Sequence, residues 1–306
     1  MTFGRLPNLF IAGAPKCGTT SLAYYLAQHE DIFVPAEKEP MYFGSDLTMN
    51  AARISRKDYE ALYESWGHQK YGLDATPAYL VSEQAAREIR TQSPNSKVII
   101  CVRNPIDAVV SAYYHNRFRL SEDSPTLESA LDLQEQRKLA NTLPRFGTLQ
   151  TLWYFDLYSY STTIPRFIFE FGNDNVIVVL LDDLSKRAIE VLAQVSVWLK
   201  IDETCVSRFS YKVQNSGATP RFELLSRFAI HPPAWAGKMT SPILSKSSRL
   251  RVRSLLRRIN SSRHPAPALH PETRARLARE FAGDVEWLSR YLDRDLTHWL
   301  APDAAS

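Results

Sequence analysis

The sequence predicts an α/β fold in which a doubly wound parallel sheet is flanked by helices. Three observations support this prediction. Short apolar runs alternate with longer segments of helical periodicity. Several of the apolar runs are continuous, as in strands that are buried on both faces of a parallel sheet. A glycine-containing loop also joins the first apolar run to the first helical segment, and folds of this class bind ligands at the carboxyl ends of their strands.

The apolar runs and the helical patterns give the elements in chain order. The predicted strands are Asn8–Ala12, Asp31–Val34, Lys97–Val102 and Val176–Leu181. The predicted helices are Thr20–Gln28, Ser82–Thr91, Pro105–Phe118, Thr148–Ser161, Ser185–Leu199 and a last one at about 271–300. Pro165 is predicted to break the helical pattern before Arg166–Phe171, because proline removes a helix hydrogen bond.

Basic residues are concentrated in one segment of the chain. The 306 residues, 44% of them hydrophobic, suffice for a full core and carry a net charge of +4. Between Glu223 and Glu272 there is no acidic residue, and nine basic residues occur: Arg227, Lys238, Lys246, Arg249, Arg251, Arg253, Arg257, Arg258 and Arg263. We therefore expect a single domain over 1–306 that carries a basic, mobile insertion at about 224–271. The basic segment 227–263 either contacts an anionic partner or forms a solvated face, and no sequence-specific nucleic-acid contact is predicted.

The cysteines and the hydropathy pattern favour a cytoplasmic protein. The three cysteines, Cys17, Cys101 and Cys205, show neither metal-ligand spacing nor a disulfide framework. Arg5 alone precedes the first apolar run, which does not fit a secretory signal. No run approaches the roughly 18 apolar residues that a bilayer crossing needs. We expect no metal site and no transmembrane segment.

The loop Gly13–Thr20 predicts an anion site of the P-loop type. A strand, a glycine loop and a helix start together form a cradle in which free N–H groups and the positive end of the helix face an anion. The spacing of Gly13 and Gly18 resembles that of a nucleoside triphosphatase loop, but the lysine stands at position 16 instead of after Gly18. Lys16 could therefore reach the bridging oxygen between a 5′-phosphate and a group in transfer.

A second anion site is predicted at the end of a later strand. The buried run Val98–Val102 ends at Arg103, and Pro105 suits the first turn of a helix. The planar guanidinium of Arg103 can bind a phosphate through two donors. Ser111, eight residues further along, could add a hydroxyl from that helix.

In this order the two motifs resemble those of sulfotransferases that use 3′-phosphoadenosine 5′-phosphosulfate (PAPS), of the bacterial and carbohydrate type that includes heparan sulfate sulfotransferase domains. The loop is similar to their 5′-phosphosulfate loop, and Arg103 with Ser111 is similar to their 3′-phosphate site. Further segments resemble the family over most of the chain: Glu37–Phe43, Asp74–Leu80, Leu181–Leu184, Asn215–Arg221 and Phe281–Trp299.

The resemblance implies a role for each candidate residue. It implies PAPS as the donor, its desulfated form PAP as the product, and transfer of the sulfuryl group to a hydroxyl or amine of a carbohydrate or small molecule. Lys16 would stabilise the leaving phosphate and Glu39 would act as the general base. The implied donor-binding residues are Lys16, Cys17, Gly18, Thr19, Thr20, Ser21, Arg103, Ser111 and Arg221. The implied acceptor-binding residues are Lys38, Asp74, Tyr79 and His115.

Several alternatives remain open from the sequence. His29 and His115 are rival bases. Ala75 stands where heparan-type relatives commonly have a lysine, so the loop does not itself support a glycosaminoglycan acceptor. A P-loop kinase or nucleoside triphosphatase would need a strand-end acid for Mg²⁺, for which Asp182 and Asp183 are the candidates. A nucleotide-binding module without catalytic activity is the third possibility.

Overall fold

A five-stranded parallel sheet forms the centre of the protein in the computed structural model, which describes residues 5–50, 52–144, 147–212 and 269–302 and the backbone of Thr219–Pro220 and Ser261–Ser262. In chain order its strands are β1 (Leu9–Gly13), β2 (Ile32–Phe33), β3 (Tyr71–Asp74), β4 (Lys97–Val102) and β5 (Val176–Leu180). They lie in the order β2-β3-β1-β4-β5, and every neighbouring pair is parallel. Two short segments, β6 (Thr219–Pro220) and β7 (Ser261–Ser262), pair as an antiparallel ribbon.

Helices connect and flank the strands. They are α1 (Thr19–Leu26), α2 (Arg56–Ala61), α3 (Ala85–Gln92), α4 (Pro105–Phe118), α5 (Leu127–Ala140), α6 (Tyr154–Leu157), α7 (Tyr160–Phe171), α8 (Leu181–Lys186), α9 (Ala188–Leu199), α10 (Pro271–Glu280) and α11 (Ala282–Tyr291). Short 3₁₀ turns occupy Pro77–Leu80, Leu149–Leu152, Asn173–Asn175, Thr204–Arg208 and Thr297–Leu300. None of the described helices combines the length and apolarity that a bilayer crossing requires.

The order of the strands places a switch point between β1 and β4. From β1 the chain first builds β2 and β3 on one side, and then returns to build β4 and β5 on the other. Ligands of doubly wound sheets bind at such a point, outside the carboxyl ends of the strands. The loops that follow β1 and β4 carry Lys16 and Arg103, so both predicted anion sites lie at this edge.

The predicted α/β fold with a parallel sheet is confirmed, and several elements have the predicted bounds. The strand β4 and the helix α4 begin and end as expected, because their sequence signals are strong and local. Along β4 every residue from Val98 to Val102 is fully buried. At the start of α4 the Asn104 side chain accepts a hydrogen bond from the N–H of Ile106 at 3.0 Å, and Pro105 occupies the first turn. The prediction of a single domain over 1–306 stays a prediction.

The prediction was wrong around residues 148–171. The helix expected over Thr148–Ser161 is a 3₁₀ turn followed by the short α6, and the chain breaks at Tyr158 rather than at Pro165. The helix α7 continues through Pro165. A proline there removes one helix hydrogen bond in the second turn, while burial of Ile164, Phe167 and Phe171 on the core face stabilises the helix.

Candidate active site

The loop after β1 folds around two residues with positive φ. Lys16 has φ 64 and Gly18 has φ 86. The N–H of Ala14 donates to the carbonyl of Cys101 at 2.6 Å, which fixes the start of the loop to β4. No side chain caps the start of α1 at Gly18. The N–H groups at this helix start therefore face the loop as anion donors, as the glycine motif predicts.

Gly18 is required by its conformation and by its neighbour. A Cβ atom at Gly18 would lie 2.7 Å from Cδ1 of Leu181, the first residue of α8. Positive φ is also unfavourable for residues that have a Cβ. The loop can thus approach α8 closely only with glycine here.

Lys16 lies among the charged groups of the site. Burial is the largest influence on its ammonium and lowers its pKa, and the guanidinium of Arg103 lowers it further. The carboxylate of Glu39 acts in the opposite direction, and Arg119 adds a smaller lowering. Arg103, Glu39 and Arg119 are therefore charged neighbours of Lys16. We call the region around these four residues, at the carboxyl edge of the sheet, the candidate cleft.

Arg103 and Ser111 lie on the β4 side of this cleft. The Arg103 side chain is 28% exposed, and its Nη2 lies 3.6 Å from Oδ2 of Asp107, one turn into α4. At this distance the ion pair is loose, so the guanidinium keeps donors for another anion. Ser111 follows one turn after Asp107 on the same face of α4 and is half-buried.

His115 continues this face of α4 by one more turn. Burial, with smaller contributions from the cations Lys16 and Arg119, lowers the pKa of His115 to about 3. The imidazole is therefore neutral near pH 7 and lies close to Lys16. A base with so low a pKa accepts protons weakly, which makes His115 the poorer candidate for the general base.

Lys38 joins Glu39 to the phosphate loop. The Nζ of Lys38 donates to Oε1 of Glu39 at 2.7 Å and to Oγ1 of Thr20 at 3.2 Å. Thr20 belongs to the first turn of α1, so this bridge holds the carboxylate beside the helix start. The Glu39 side chain is 47% exposed, which leaves it open to an acceptor.

Asp74 and Tyr79 lie in the core beneath the segment that carries Glu39. They are too buried to contact an acceptor, so the expectation that they do so is wrong. Both residues are fully buried. The Asp74 carboxylate accepts hydrogen bonds from three hydroxyls: Tyr59 at 2.7 Å, Thr76 at 2.6 Å and Tyr79 at 3.0 Å. Burial raises the pKa of Asp74 to about 6, which the three hydrogen bonds oppose.

The hydroxyl of Tyr79 extends this network to the segment that follows Glu39. It accepts hydrogen bonds from the N–H groups of Tyr42 at 3.1 Å and Phe43 at 3.4 Å. Tyr79 therefore fixes the backbone that carries Glu39, and an acceptor cannot reach it in this arrangement.

Cys17 shapes the loop and offers no donor to a ligand. Its N–H bonds to the carbonyl of Ala14 at 3.3 Å, and its side chain is fully buried. Burial raises the pKa of the thiol to about 12, although nearby cations lower it, so the group stays neutral. The expectation that Cys17 binds the donor directly does not fit this placement. Thr19 and Ser21 are buried at the same helix start.

Sequence reasoning missed two buried tyrosines that hold the site. The hydroxyl of Tyr158 donates to the carbonyl of Pro15 in the loop at 3.0 Å. The hydroxyl of Tyr160 donates to the carbonyl of Arg103 at 2.9 Å. They precede and begin α7, at a break that helical periodicity does not reveal, and an aromatic residue in such a run is usually assigned to the core.

His29, the other rival base, has a structural role. Its Nδ1 accepts the N–H of Asp31 at 3.0 Å, so Nε2 carries the proton and donates to the carbonyl of Asp202 at 2.8 Å. Both ring nitrogens are thus engaged at the far end of α1. Arg221 and the basic segment 227–263 lie outside the described residues.

Asp182 and Asp183, the candidate ligands for Mg²⁺, lie at the start of α8, and Asp183 is engaged in ion pairs. Asp183 forms ion pairs with Arg187 at 3.0 Å and with Arg294, which occupy both of its carboxylate oxygens. Asp182 lies beside it in the first turn of α8. In the described part of the chain, no cluster of three or more His, Cys, Asp or Glu side chains is arranged to hold a metal ion.

Comparison with known proteins identifies the family. A model of the sulfotransferase domain matches residues 6–215. The chain is 34% identical over 128 residues to the membrane-associated sulfotransferase kil1 of Dictyostelium discoideum, which covers 42% of this chain and 27% of that protein. It is 31% identical over 109 residues to heparan sulfate glucosamine 3-O-sulfotransferase 6 of Homo sapiens, which covers 36% of this chain and 30% of that protein.

A solved structure shares the fold. The crystal structure of a sulfotransferase from Alicyclobacillus acidocaldarius superposes with a TM-score of 0.70 at 21% identity, over 97% of this chain and 100% of that one. The matched segments span less than a third of the length of the curated relatives named above. Since the sulfotransferase-domain model matches well over half of the residues, from Leu6 to Asn215, the chain belongs to the sulfotransferase-domain family.

Proposed function

We propose that this protein transfers a sulfuryl group from PAPS to a hydroxyl or amine of a carbohydrate or small-molecule acceptor. The observation that carries the proposal is that Arg103 and Glu39 both act electrostatically on Lys16, at the switch point of the sheet. One cation thus has as neighbours a proposed phosphate-binding group and a proposed carboxylate base. A 3′,5′-bisphosphate needs two separate anion sites, and we assign one to the loop after β1 and one to the residues after β4.

The residues of the cleft fit the donor. The uncapped start of α1 would offer the N–H groups of Thr19 and Thr20 to the 5′-phosphate, and the positive φ of Gly18 gives the loop its turn into the helix. Arg103 and Ser111 would bind the 3′-phosphate. When bound, the donor supplies an activated sulfuryl group on a phosphate oxygen.

The chemistry of transfer follows from charge development. The acceptor oxygen or nitrogen forms a bond to sulfur while the bond from sulfur to the bridging phosphate oxygen breaks. Lys16 stabilises the negative charge that appears on that oxygen. Glu39 takes the proton that the acceptor loses. Lys38 holds Glu39 beside the start of α1, so that base and leaving-group cation act on the same reacting centre.

Two placements support transfer over the kinase alternative. Lys16 precedes Gly18, whereas a triphosphatase needs its lysine after the second glycine. Asp183 is paired with two arginines, so it is poorly placed to hold Mg²⁺. Glu39 argues against a module without catalytic activity, because it is a partly exposed carboxylate beside the phosphate loop and could act as a base.

The acceptor, the location and the anionic partner remain proposals. Among the relatives is a heparan sulfate glucosamine 3-O-sulfotransferase, which favours a carbohydrate acceptor. We propose that Lys38, which bonds to Glu39, and His115, whose imidazole is influenced by Lys16, contact the acceptor. We propose a cytoplasmic location, which subcellular fractionation would test, and an anionic partner for segment 227–263.

A direct experiment combines binding with transfer. Calorimetry should detect PAP binding in the presence of EDTA, and a screen of acceptors with PAPS should give a product that carries an added sulfate by mass spectrometry. Lys16→Ala should reduce transfer by about a hundredfold or more, as for the loss of one group that stabilises developing charge. Lys57→Ala, which removes an exposed lysine of α2, is the matched control. If PAP fails to bind, or if Lys16→Ala retains near-normal transfer, the proposal is wrong.

A further inference from the structure

The hydroxyl of Tyr160 contacts both segments that would hold the two phosphates. It accepts the N–H of Arg103 at 3.2 Å and donates to the carbonyl of the same residue at 2.9 Å. Its oxygen also lies 3.7 Å from Sγ of Cys17 in the phosphate loop. One phenol group therefore touches the loop after β1 and the residue that ends β4.

The three contacts are compatible with one hydroxyl group. A phenol has one proton to donate and can accept from other donors. The proton is used on the Arg103 carbonyl, so only the Cys17 thiol can donate in the contact with Tyr160, and the carbonyl of Pro15, 3.5 Å from Sγ, competes for the same thiol proton. The Tyr160 side chain is fully buried, and an unpaired polar group there would be costly.

Residues on both sides of Tyr160 in the chain are fixed by hydrogen bonds, which holds Tyr160 in place. The neighbouring Tyr158 donates to the carbonyl of Pro15. On the other side, Oδ1 of Asp284 in α11 accepts the N–H of Ser161 at 2.8 Å and its hydroxyl at 2.6 Å. The backbone around Tyr160 thus has few ways to move relative to the sheet.

We propose that Tyr160 is a positioning residue that sets the separation of the phosphate loop and Arg103, and so makes the protein select ligands with both a 5′- and a 3′-phosphate. The inference rests on the proposed donor. Tyr160 touches no ligand itself, because it is fully buried. It acts by fixing the main chain of Arg103 on both its N–H and its carbonyl, which restricts where the guanidinium can reach.

Ligand selectivity separates this role from a general effect on folding. We would measure the dissociation constants of PAP and of adenosine 5′-monophosphate, which lacks the 3′-phosphate, for the wild type and for Tyr160→Phe. The variant keeps the ring and loses the hydroxyl. We expect the dissociation constant of PAP to rise by about tenfold and that of the monophosphate by less than about twofold, because only the 3′-phosphate is assigned to Arg103.

Tyr158→Phe is the matched control, because it removes an equally buried hydroxyl that touches the loop but not Arg103. It should change the two affinities by the same factor. In an Arg103→Ala background, Tyr160→Phe should have little further effect on PAP binding, because the group through which it acts is gone.

The outcomes distinguish the two proposals. A wild-type protein that does not bind PAP would overturn the proposed donor and this inference with it. If the wild type binds PAP but Tyr160→Phe weakens both ligands equally, or adds its full effect in the Arg103→Ala background, the positioning role alone is wrong. Should Tyr160→Phe fail to fold, Cys17→Ala tests the loop contact of the same hydroxyl and should lower the preference for PAP over the monophosphate.

Discussion

Among the charged candidate residues, Glu39 is more exposed than Lys38 and Arg103 and has the most specific proposed role. Its carboxylate is bonded to Lys38 and half open to solvent, at the edge of the cleft that holds Lys16. A carboxylate so placed can meet an acceptor without any rearrangement of the core. The proton transfer proposed for it is thus separable from donor binding, which we assign to the loop and Arg103.

Replacing Glu39 by glutamine should separate the two steps. Glu39→Gln keeps the shape of the side chain but cannot accept the acceptor's proton, so transfer should fall by about a hundredfold or more. PAP affinity should stay within about twofold. Glu37→Gln, at an exposed position two residues earlier, serves as the control. Persisting activity in Glu39→Gln would assign the proton to His115 or to water.

His115 should make the folded state sensitive to acid. Its pKa is lowered from the usual 6.5 to about 3 in the folded protein, chiefly by burial. Between these values the unfolded chain binds a proton that the folded chain does not, so this contribution to stability is present above about pH 6.5 and is lost as the pH falls toward 3. The loss is at most about 1.4 kcal/mol per pH unit.

Urea unfolding at pH 7, 6 and 5 measures this effect. His115→Asn should show a shallower decline in the free energy of unfolding than the wild type, and His68→Asn, at an exposed position, should follow the wild type. Equal declines in wild type and His115→Asn would show that the imidazole titrates normally.

Residues with a local sequence signal were the predictable part of the site. Lys16 and Arg103 stand next to a glycine loop and at the end of an apolar strand, and the structure places both at one edge of the sheet. Asp74 and Tyr79 were misassigned because burial is decided by partners far along the chain. Tyr79, for example, accepts hydrogen bonds from the backbone N–H groups of residues 42 and 43, more than thirty residues away in the chain.

At the scale of elements, the phosphate loop approaches α8 so closely at Gly18 that a Cβ atom there would lie 2.7 Å from Cδ1 of Leu181. Gly18→Ala should destabilise the fold by about 1–2 kcal/mol through its positive φ, with a further cost from contact with Leu181. It should also weaken PAP binding, since relief of the contact would move the loop. Urea unfolding and calorimetry would measure both.

Gly283→Ala is the contrasting control for this change. A Cβ there would meet nothing within 4 Å, and the residue lies in α11, so alanine should leave the protein equally stable or raise the free energy of unfolding by at most about 1 kcal/mol. Equal destabilisation by both substitutions would contradict the role given to the loop contact.

The elements also show where sequence patterns fail. The bounds of β4 and α4 follow from a continuous apolar run and a Pro at the first turn. The strand β3, Tyr71–Asp74, was not predicted, because four residues that include a glycine give little periodicity. Its pairing with β1 makes it a strand, and its carboxyl end places Asp74 under the site.

For the molecule as a whole, the C-terminal part of the chain contacts elements of the candidate active site that lie more than a hundred residues earlier in the sequence. Through Asp284, α11 holds the segment Ser159–Ser161, and that segment carries Tyr160. Separately, Arg294 pairs with Asp183 on α8, which packs against Gly18 through Leu181. Sequence patterns could place a terminal helix, but they could not show that it reaches both anion sites through other elements.

Asp284→Ala tests this coupling. Asp284 is buried, and its carboxylate accepts hydrogen bonds from the N–H and hydroxyl of Ser161. Its loss leaves partly buried donors unpaired and should lower the free energy of unfolding by about 1–3 kcal/mol. Because Tyr160 lies in the released segment, PAP affinity should fall as well, although Asp284 is on another helix. Glu286→Ala, which removes an exposed acid of the same helix, should change neither quantity. A loss of stability in Asp284→Ala with PAP affinity intact would show that the C-terminal helices support the fold without positioning the site.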